Sequence, residues 1–587
     1  MPCGSSRGSP RPHNPPPISA ALDSVSLLPH LRSRVGLKLV RSRTYSLSTS
    51  LQHLAAALLA GAILLLATSC GGGEPSASGS EDSQPLVLRR GLGGQPGSLD
   101  PQRAEDAFSY DVLRDLYEGL TASSPDGEVI PAGAVSWQVD DGGRRYTFAL
   151  RREARWSNGD PVLASDFVAA FRRAMNPATA SGAADLLRAI ENAPAILGGE
   201  RPVEDLGVRA LDDHQLEIHL SMPVPYFLDI LTNTVASPVH ASSLAEGGSF
   251  SKPGAAVTNG PYRLVELTPG ANLRLARNPH YWDSSSVTFD QVRYEIVADE
   301  NAEFTRFRAG ELDVTNTVPE QRFEQLAGEP GSGLQHRAWL ATFYFTFNTD
   351  RGPLRDQPAL REALSLSIDR AAITASITRA GQVPAFSLVP TGVRNYTPAQ
   401  YEWREDPQEQ RIARARSLYA AAGYSSARPL RLKLLYNEND LIQKVCIAIA
   451  SMWKEALGVE VDLVQMEFKA YLAARADPAQ WDVVRVGWTA DYNDASTFLD
   501  TMTRDSPQNF GRWLNDRYAG LLASAAVESD PLRRRETLQQ AEALMLADYP
   551  LLPVYFYVTR RLVQPHIAAP AINPMNRTYS RYFRIAQ

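Results

Sequence analysis

The sequence predicts an α/β protein of two or three domains, built on mixed sheets with covering helices. Three observations carry that prediction. The chain has 587 residues, 44% apolar and 21% charged, enough for several ordinary globular cores. Between Phe289 and Thr315 a strand pattern (Phe289 to Val297), a helix pattern (Glu300 to Ala309) and a second strand pattern (Leu312 to Thr315) alternate as sheet-and-helix folds do. Amphipathic runs then recur at Leu360 to Arg370, Ala413 to Ala421 and Leu441 to Leu457, with the strand pattern Leu430 to Tyr436 among them.

The chain begins differently. Seven Lys and Arg and a single acid, Asp23, precede Cys70, and an apolar run covers Leu54 to Ala67. That run is too short to span the roughly 30 Å of a bilayer and suits a signal-peptide core. Ala67-Thr68-Ser69-Cys70 follows and resembles a bacterial lipobox, which implies that residues 1–69 are removed and that Cys70 is lipidated. Alanine three positions before Cys70 departs from the leucine usual there, and the Pro/Ser/Arg-rich stretch before Arg41 is long for a leader. Taking the seven basic residues and one acid from the totals of 59 and 65 leaves 52 and 64, a net charge of −12 that argues against nucleic acid as a partner. Beyond Cys70 the only cysteine is Cys446, so no intrachain disulfide is expected, and its place in the Leu441 helix reads as core packing. Residues 70–85, the cysteine and a Gly/Ser-rich stretch, read as a flexible tether reaching about 20 to 25 Å.

A strand opens at Leu86 (LVLRRGL), and a helix runs to Leu116 after Gly97-Ser98-Leu99-Asp100-Pro101. From Leu120 to about His240 the pattern is hairpins with short helices. Arg144 to Leu150 alternates at period two, Ser157-Asn158-Gly159-Asp160-Pro161 is turn chemistry, and Ser165 is the expected N-cap of a helix through Met175. A second strand pair lies between Tyr262 and Arg277. Strong alternation returns at Ala341 to Asn348 and at Leu551 to Val558.

The stretch Trp481 to Asp494 (WDVVRVGWTADYND) organises the rest. Its first half is β-branched and apolar, suited to a buried strand. Alternation puts Arg485, Gly487, Thr489 and, if the strand continues, Asp491 on one face, with Val484, Val486 and Trp488 on the other. An extended run would hold the Arg485 and Asp491 Cα atoms at most ~20 Å apart. A short peptide is a zwitterion. Added antiparallel to this strand, its ammonium would meet Asp491, its carboxylate would point to Arg485, and its middle would be held by backbone hydrogen bonds from Gly487 and Thr489. The plainer alternative is a core strand whose two charges face solvent.

Here a resemblance enters. WDVVRVGWTADYNDASTFLDTM, with YTFALRREARWSNGDPVLASDF upstream, is similar to the periplasmic oligopeptide-binding proteins, the family-5 extracytoplasmic receptors of peptide ABC transporters, and the likeness runs from about Leu86 to the C-terminus. It implies a two-lobed periplasmic-binding-protein fold, class II-like, with an extra small domain and two hinge crossings. The implied division is 86–117 lobe I, 118–240 accessory domain, 241–341 lobe I again, 342–557 lobe II, and 558–587 a return to lobe I. It also implies that Asp491 binds the ligand's α-amino group, that Arg485 lies toward its carboxylate, and that Glu105, Trp488, Phe468, Arg475 and Tyr557 line the groove. Two departures bear on peptide length: Ile442 stands where the family has a histidine, and Thr378, beside Arg379, where it has a lysine. Arg379 is the expected substitute.

The chain contains no GxSxG, HExxH, phosphate-binding glycine loop or CxxC pair, and its nine histidines are scattered. No catalytic residue, metal ligand or cofactor is therefore expected. The leading reading is a monomeric, lipid-anchored peptide receptor of the cell envelope that serves an ABC permease and touches the membrane only through its lipid. Receptors for a dipeptide, murein peptide or metal chelate, a sensor passing nothing to a permease, and an envelope peptidase are the alternatives.

Overall fold

The computed structural model describes residues 84–245 and 249–587; the expected leader, Cys70 and most of the tether lie outside the described residues. Strand β1 (Val87–Leu92) precedes the helix Ala107–Leu116, whose N-cap Asp106 accepts the Ser109 amide at 2.8 Å. A hairpin of β2 (Thr121–Ser123) and β3 (Val129–Pro131) leads into β4 (Ala134–Asp140), β5 (Arg145–Leu150), β6 (Val208–Asp212) and β7 (Gln215–His219). These last four form an antiparallel sheet in the order β4-β5-β7-β6. Period two decides its faces: Tyr146, Phe148 and Leu150 are buried, and the residues between them face outward.

Next come β8 (Tyr262–Thr268), β9 (Asn272–Arg277) and β10 (Gln291–Ile296), which join β1 in the order β1-β10-β9-β8, with β1 parallel to β10. A six-stranded sheet follows, built from β11 (Leu334–Phe347), β12 (Val383–Pro384), β13 (Arg431–Asn437), β14 (Glu460–Met466), β15 (Val483–Thr489) and β16 (Leu551–Leu562). Its order is β12-β16-β11-β15-β13-β14, mixed parallel and antiparallel, with the helix Asp440–Leu457 packed on it. The mixed sheets with covering helices are as the sequence predicts.

Two large apolar cores separate these sheets. One is centred on Leu88, Phe148, Trp156 and Tyr294, the other on Phe343, Trp403, Trp453, Val484 and Tyr555. Cys446 is fully buried in the second, where burial pushes its thiol up, consistent with packing. The long strands β11 and β16 pass between the cores. Leu334–Ala338 pair with Val558–Leu562 near a small cluster of Phe307, Leu312, Val318 and Leu562, while Thr342–Thr346 pair with Leu551–Phe556 in the six-stranded sheet. Between those segments the register slips: Ala338 is opposite Val558 and Thr342 opposite Phe556, so Trp339, Leu340 and Ala341 face Tyr557 alone.

Four local expectations are corrected. Leu163, not Ser165, is the N-cap of Ala164–Met175, because the Asp166 carboxylate reaches back to the Leu163 amide (2.9 Å) and also accepts Trp156 Nε1 (3.0 Å). The run Leu360 to Arg370 is not one helix. It stops at Leu366 and restarts at Arg370, whose buried guanidinium donates to the Pro553 and Ser365 carbonyls (2.8 and 3.0 Å). Leu312 to Thr315 forms no strand; Val314 makes single bridges to Arg90 and Val563. Finally, β15 ends at Thr489, two residues short of Asp491.

Candidate functional site

β15 is buried where its valines lie: Val483, Val484 and Val486 are at most 1% exposed. It runs antiparallel to β11 along its whole length, with Gly487 opposite Phe343 and Thr489 opposite Ala341. On the other edge β13 pairs only with Val483 and Val484 and then diverges. From Arg485 to Thr489 that edge therefore carries no strand among the described residues, which leaves room for an added one.

Beyond Thr489 the chain turns under tight control. The Ala490 amide donates to the Leu340 carbonyl (2.8 Å), the Asp491 amide donates to Thr497 Oγ1 (3.2 Å), and Arg577 Nη2 donates to the Asp491 carbonyl (2.7 Å). The backbone of Asp491 is thus fixed from both sides. Its carboxylate makes no hydrogen bond or ion pair among the described residues. Burial pushes that carboxyl up to about 6, against the lowering effect of Arg577.

The Asp491 side chain lines a cleft of ≈ 820 Å³. Trp488, Tyr492, Thr497 and Asp500 line the same side, and Glu105, Tyr110, Tyr226 and Asn233 face them from the N-terminal part of the chain. Tyr226 and Tyr492 stack across it, ring centroids 4.1 Å apart and planes within 2°. Tyr110 has its phenol pushed up by burial, with the charges of Asp491 and Glu105 adding to the effect while Arg114 opposes it. At the rim, Gly182 passes so close to Glu105 that an added Cβ would sit 2.2 Å from Glu105 Oε1.

Arg485 does not line that cleft. Its Nη2 donates to Tyr557 Oη (2.8 Å), its Nη1 reaches Asn437 Oδ1 (3.5 Å), and its guanidinium lies 4.8 Å from the Phe343 ring centroid. All three neighbours are neutral, Nε has no partner, and no carboxylate pairs with it among the described residues. Gly487 completes the group: a Cβ there would be 3.3 Å from both Arg485 Nη2 and Tyr557 Oη. The geometry thus gives a half-buried cation without an anion at one end, an open strand edge, and a half-buried anion without a cation at the other.

The remaining expected residues lie elsewhere. Thr489 is exposed at the end of β15, and Phe468 is 54% exposed at the start of its helix. Arg475 lies 4.2 Å over the Phe510 ring, and its carbonyl accepts Trp481 Nε1. Arg379, at a left-handed φ of 50°, is exposed and paired with Glu324 outside the cleft. Ile442 and Thr378 are buried. Sequence reasoning missed Tyr110, Tyr226, Thr497, Asp500 and Arg577. Asp500 had a signal, being an acid in the same segment as Asp491. Thr497 lies in that segment too, with no charge to mark it, while Tyr110, Tyr226 and Arg577 come from distant parts of the chain.

The family described as bacterial extracellular solute-binding proteins, family 5 (middle), matches residues 128–510. The chain is 36% identical over 516 residues to the periplasmic murein peptide-binding protein MppA of Escherichia coli K12, covering 87% of this chain and 95% of that one. It is 36% identical over 537 residues to the periplasmic oligopeptide-binding protein OppA of the same organism, covering 91% and 97%. Among solved structures, Haemophilus influenzae OppA in complex with RPPGFSPFR superposes with a TM-score of 0.73 at 33% identity, over 86% of this chain and all but 1% of the other.

Proposed function

The chain belongs to the bacterial extracellular solute-binding proteins of family 5, and from that premise we propose that it is an extracytoplasmic, lipid-anchored receptor. It binds short free-ended peptides between its lobes and delivers them to an ABC permease. The observation that carries the reading is the Asp491 carboxylate, held by its backbone, half-buried and without a counter-ion, where it lines the cleft beyond an open strand edge. A ligand ammonium supplies the missing charge. Arg485, equally without an anion, takes the carboxylate end. Glu105, Trp488, Gly487, Thr489 and Tyr557 complete the groove, and Phe468 and Arg475 are assigned to walls that close on longer ligands; Arg379, paired with Glu324 outside the cleft, is left out of it.

In this reading β11 and β16 are the two hinge crossings, and the lobes divide at 341 and 557. The lipid on Cys70 is the only membrane attachment, the protein is a monomer, and no bond in the ligand is broken. Mass spectrometry of the solute released from purified protein tests the proposal. Short peptides are expected. A bile salt, metal chelate or other non-peptide solute overturns it, and fragmentation of added peptides by the pure protein replaces the receptor with a peptidase.

A further inference from the structure

The cleft has more negative charge than one peptide amine answers. Its acidic side chains are Glu105, Asp185, Asp491 and Asp500, and its one basic side chain is Arg188, which is paired with Asp185 at 3.5 Å on the exposed rim. Three carboxylates therefore line the cleft with no cation of their own among the described residues. Glu105 is exposed and water solvates it; Asp491 is assigned to the ligand's terminal amine. Asp500 is half-buried and makes no side-chain hydrogen bond or ion pair among the described residues.

The groups around Asp500 explain its isolation. Arg534 is the nearby cation, but it is held bidentately by Asp494 at 2.7 and 2.8 Å. Tyr226 and Tyr518 face Asp500 from two other segments and Tyr492 from its own, and all are neutral phenols pushed up by burial. Burial, and then the charge of Asp494, push the Asp500 carboxyl up to about 7 against the pull of Arg534. The carboxylates do not converge: no three His, Cys, Asp or Glu side chains among the described residues come close enough to hold a metal ion. Separate anions spaced along one cleft match separate amines on one ligand.

We infer that Asp500 is a specificity-determining residue that selects peptides carrying a basic side chain near their amino end, so that the ligand brings a second cation beside its terminal ammonium. The inference rests on the peptide reading of the cleft. A lysine or arginine side chain entering beside Trp488 and Thr497 meets a carboxylate whose empty-state charge is poorly solvated, whereas a leucine side chain leaves that charge unanswered. Binding the cation also drives the Asp500 proton off, so the basic peptide releases a proton that the neutral one does not.

Calorimetry of the intact protein with Lys-Ala-Ala, Ala-Lys-Ala and Ala-Leu-Ala, each in phosphate and in Tris at pH 7, tests this. At least one lysine peptide is expected to bind about tenfold or more tighter than Ala-Leu-Ala, with a buffer-dependent heat that reports greater proton release. Asp500→Asn is expected to remove both differences. Equal affinities and equal proton release for the three peptides in the wild-type protein overturn the inference while leaving the peptide reading intact. Failure of all three to bind overturns both.

Discussion

At the residue scale the account turns on an anion left without a cation. Because burial raises the Asp491 pKa to about 6, and a ligand ammonium binds only the ionised form, affinity falls as pH drops through that value. Calorimetry with a neutral tripeptide is expected to give roughly tenfold weaker binding at pH 5 than at pH 7.5. The same shift bears on folding. A carboxyl whose folded pKa lies above its unfolded value favours the fold most fully below the ordinary carboxylate range, and that contribution is lost as pH rises through about 6. At neutral pH the empty site is therefore a liability, and Asp491→Asn is expected to raise the unliganded melting temperature by about 2–4 °C while abolishing peptide binding. An unchanged or lower melting temperature contradicts the isolation of that charge. Asp491 was legible from one short segment, whereas Trp488, which alternation puts on the opposite face, and Glu105 came by family likeness. Arg577, which fixes the Asp491 carbonyl from 86 residues away, was not, since nothing local marks a contact made only by the fold.

At the element scale the working part is β15, a strand buried on its valine face and open along one edge after Val484. Gly487 keeps that edge approachable beside Arg485 and Tyr557. Gly487→Val places branched carbons where the ligand backbone would lie, yet suits a strand locally. Peptide affinity is expected to fall at least ~10-fold with a modest loss in urea stability, because the new Cβ meets Arg485 Nη2 and Tyr557 Oη at 3.3 Å; retained affinity contradicts the added-strand arrangement. Strands and long helices were readable from period alone, as β5 and the helix Asp440–Leu457 illustrate. The breaks were not. The Leu360 helix stops because Arg370 is drawn between the Pro553 carbonyl on β16 and the Ser365 carbonyl at the helix's own end, and Leu312 to Thr315 pairs by single bridges instead of a ladder, both set by tertiary contacts that local propensity does not encode.

At the scale of the whole molecule, β11 and β16 cross together, and both are irregular where Trp339, Leu340 and Ala341 oppose Tyr557. The register slip lies beside the Arg485 group, and in the proposed two-lobed reading it is where closure would bend. Arg394 donates to Asp229 (2.9 Å) and the Gly127 carbonyl (3.0 Å) and pairs with Glu128 (3.1 Å), joining the long segment after β11 to the N-terminal part. If those contacts hold the closed form, Arg394→Ala speeds peptide dissociation about tenfold in stopped-flow displacement with little change in association; an unchanged dissociation rate contradicts that role. The measurement that bears most directly on the central claim compares one tripeptide with its N-acetylated form on the unaltered protein at pH 7.5. Acetylation is expected to weaken binding at least ~30-fold, because it leaves Asp491 buried without a cation. Equal affinities for the two forms would contradict the account.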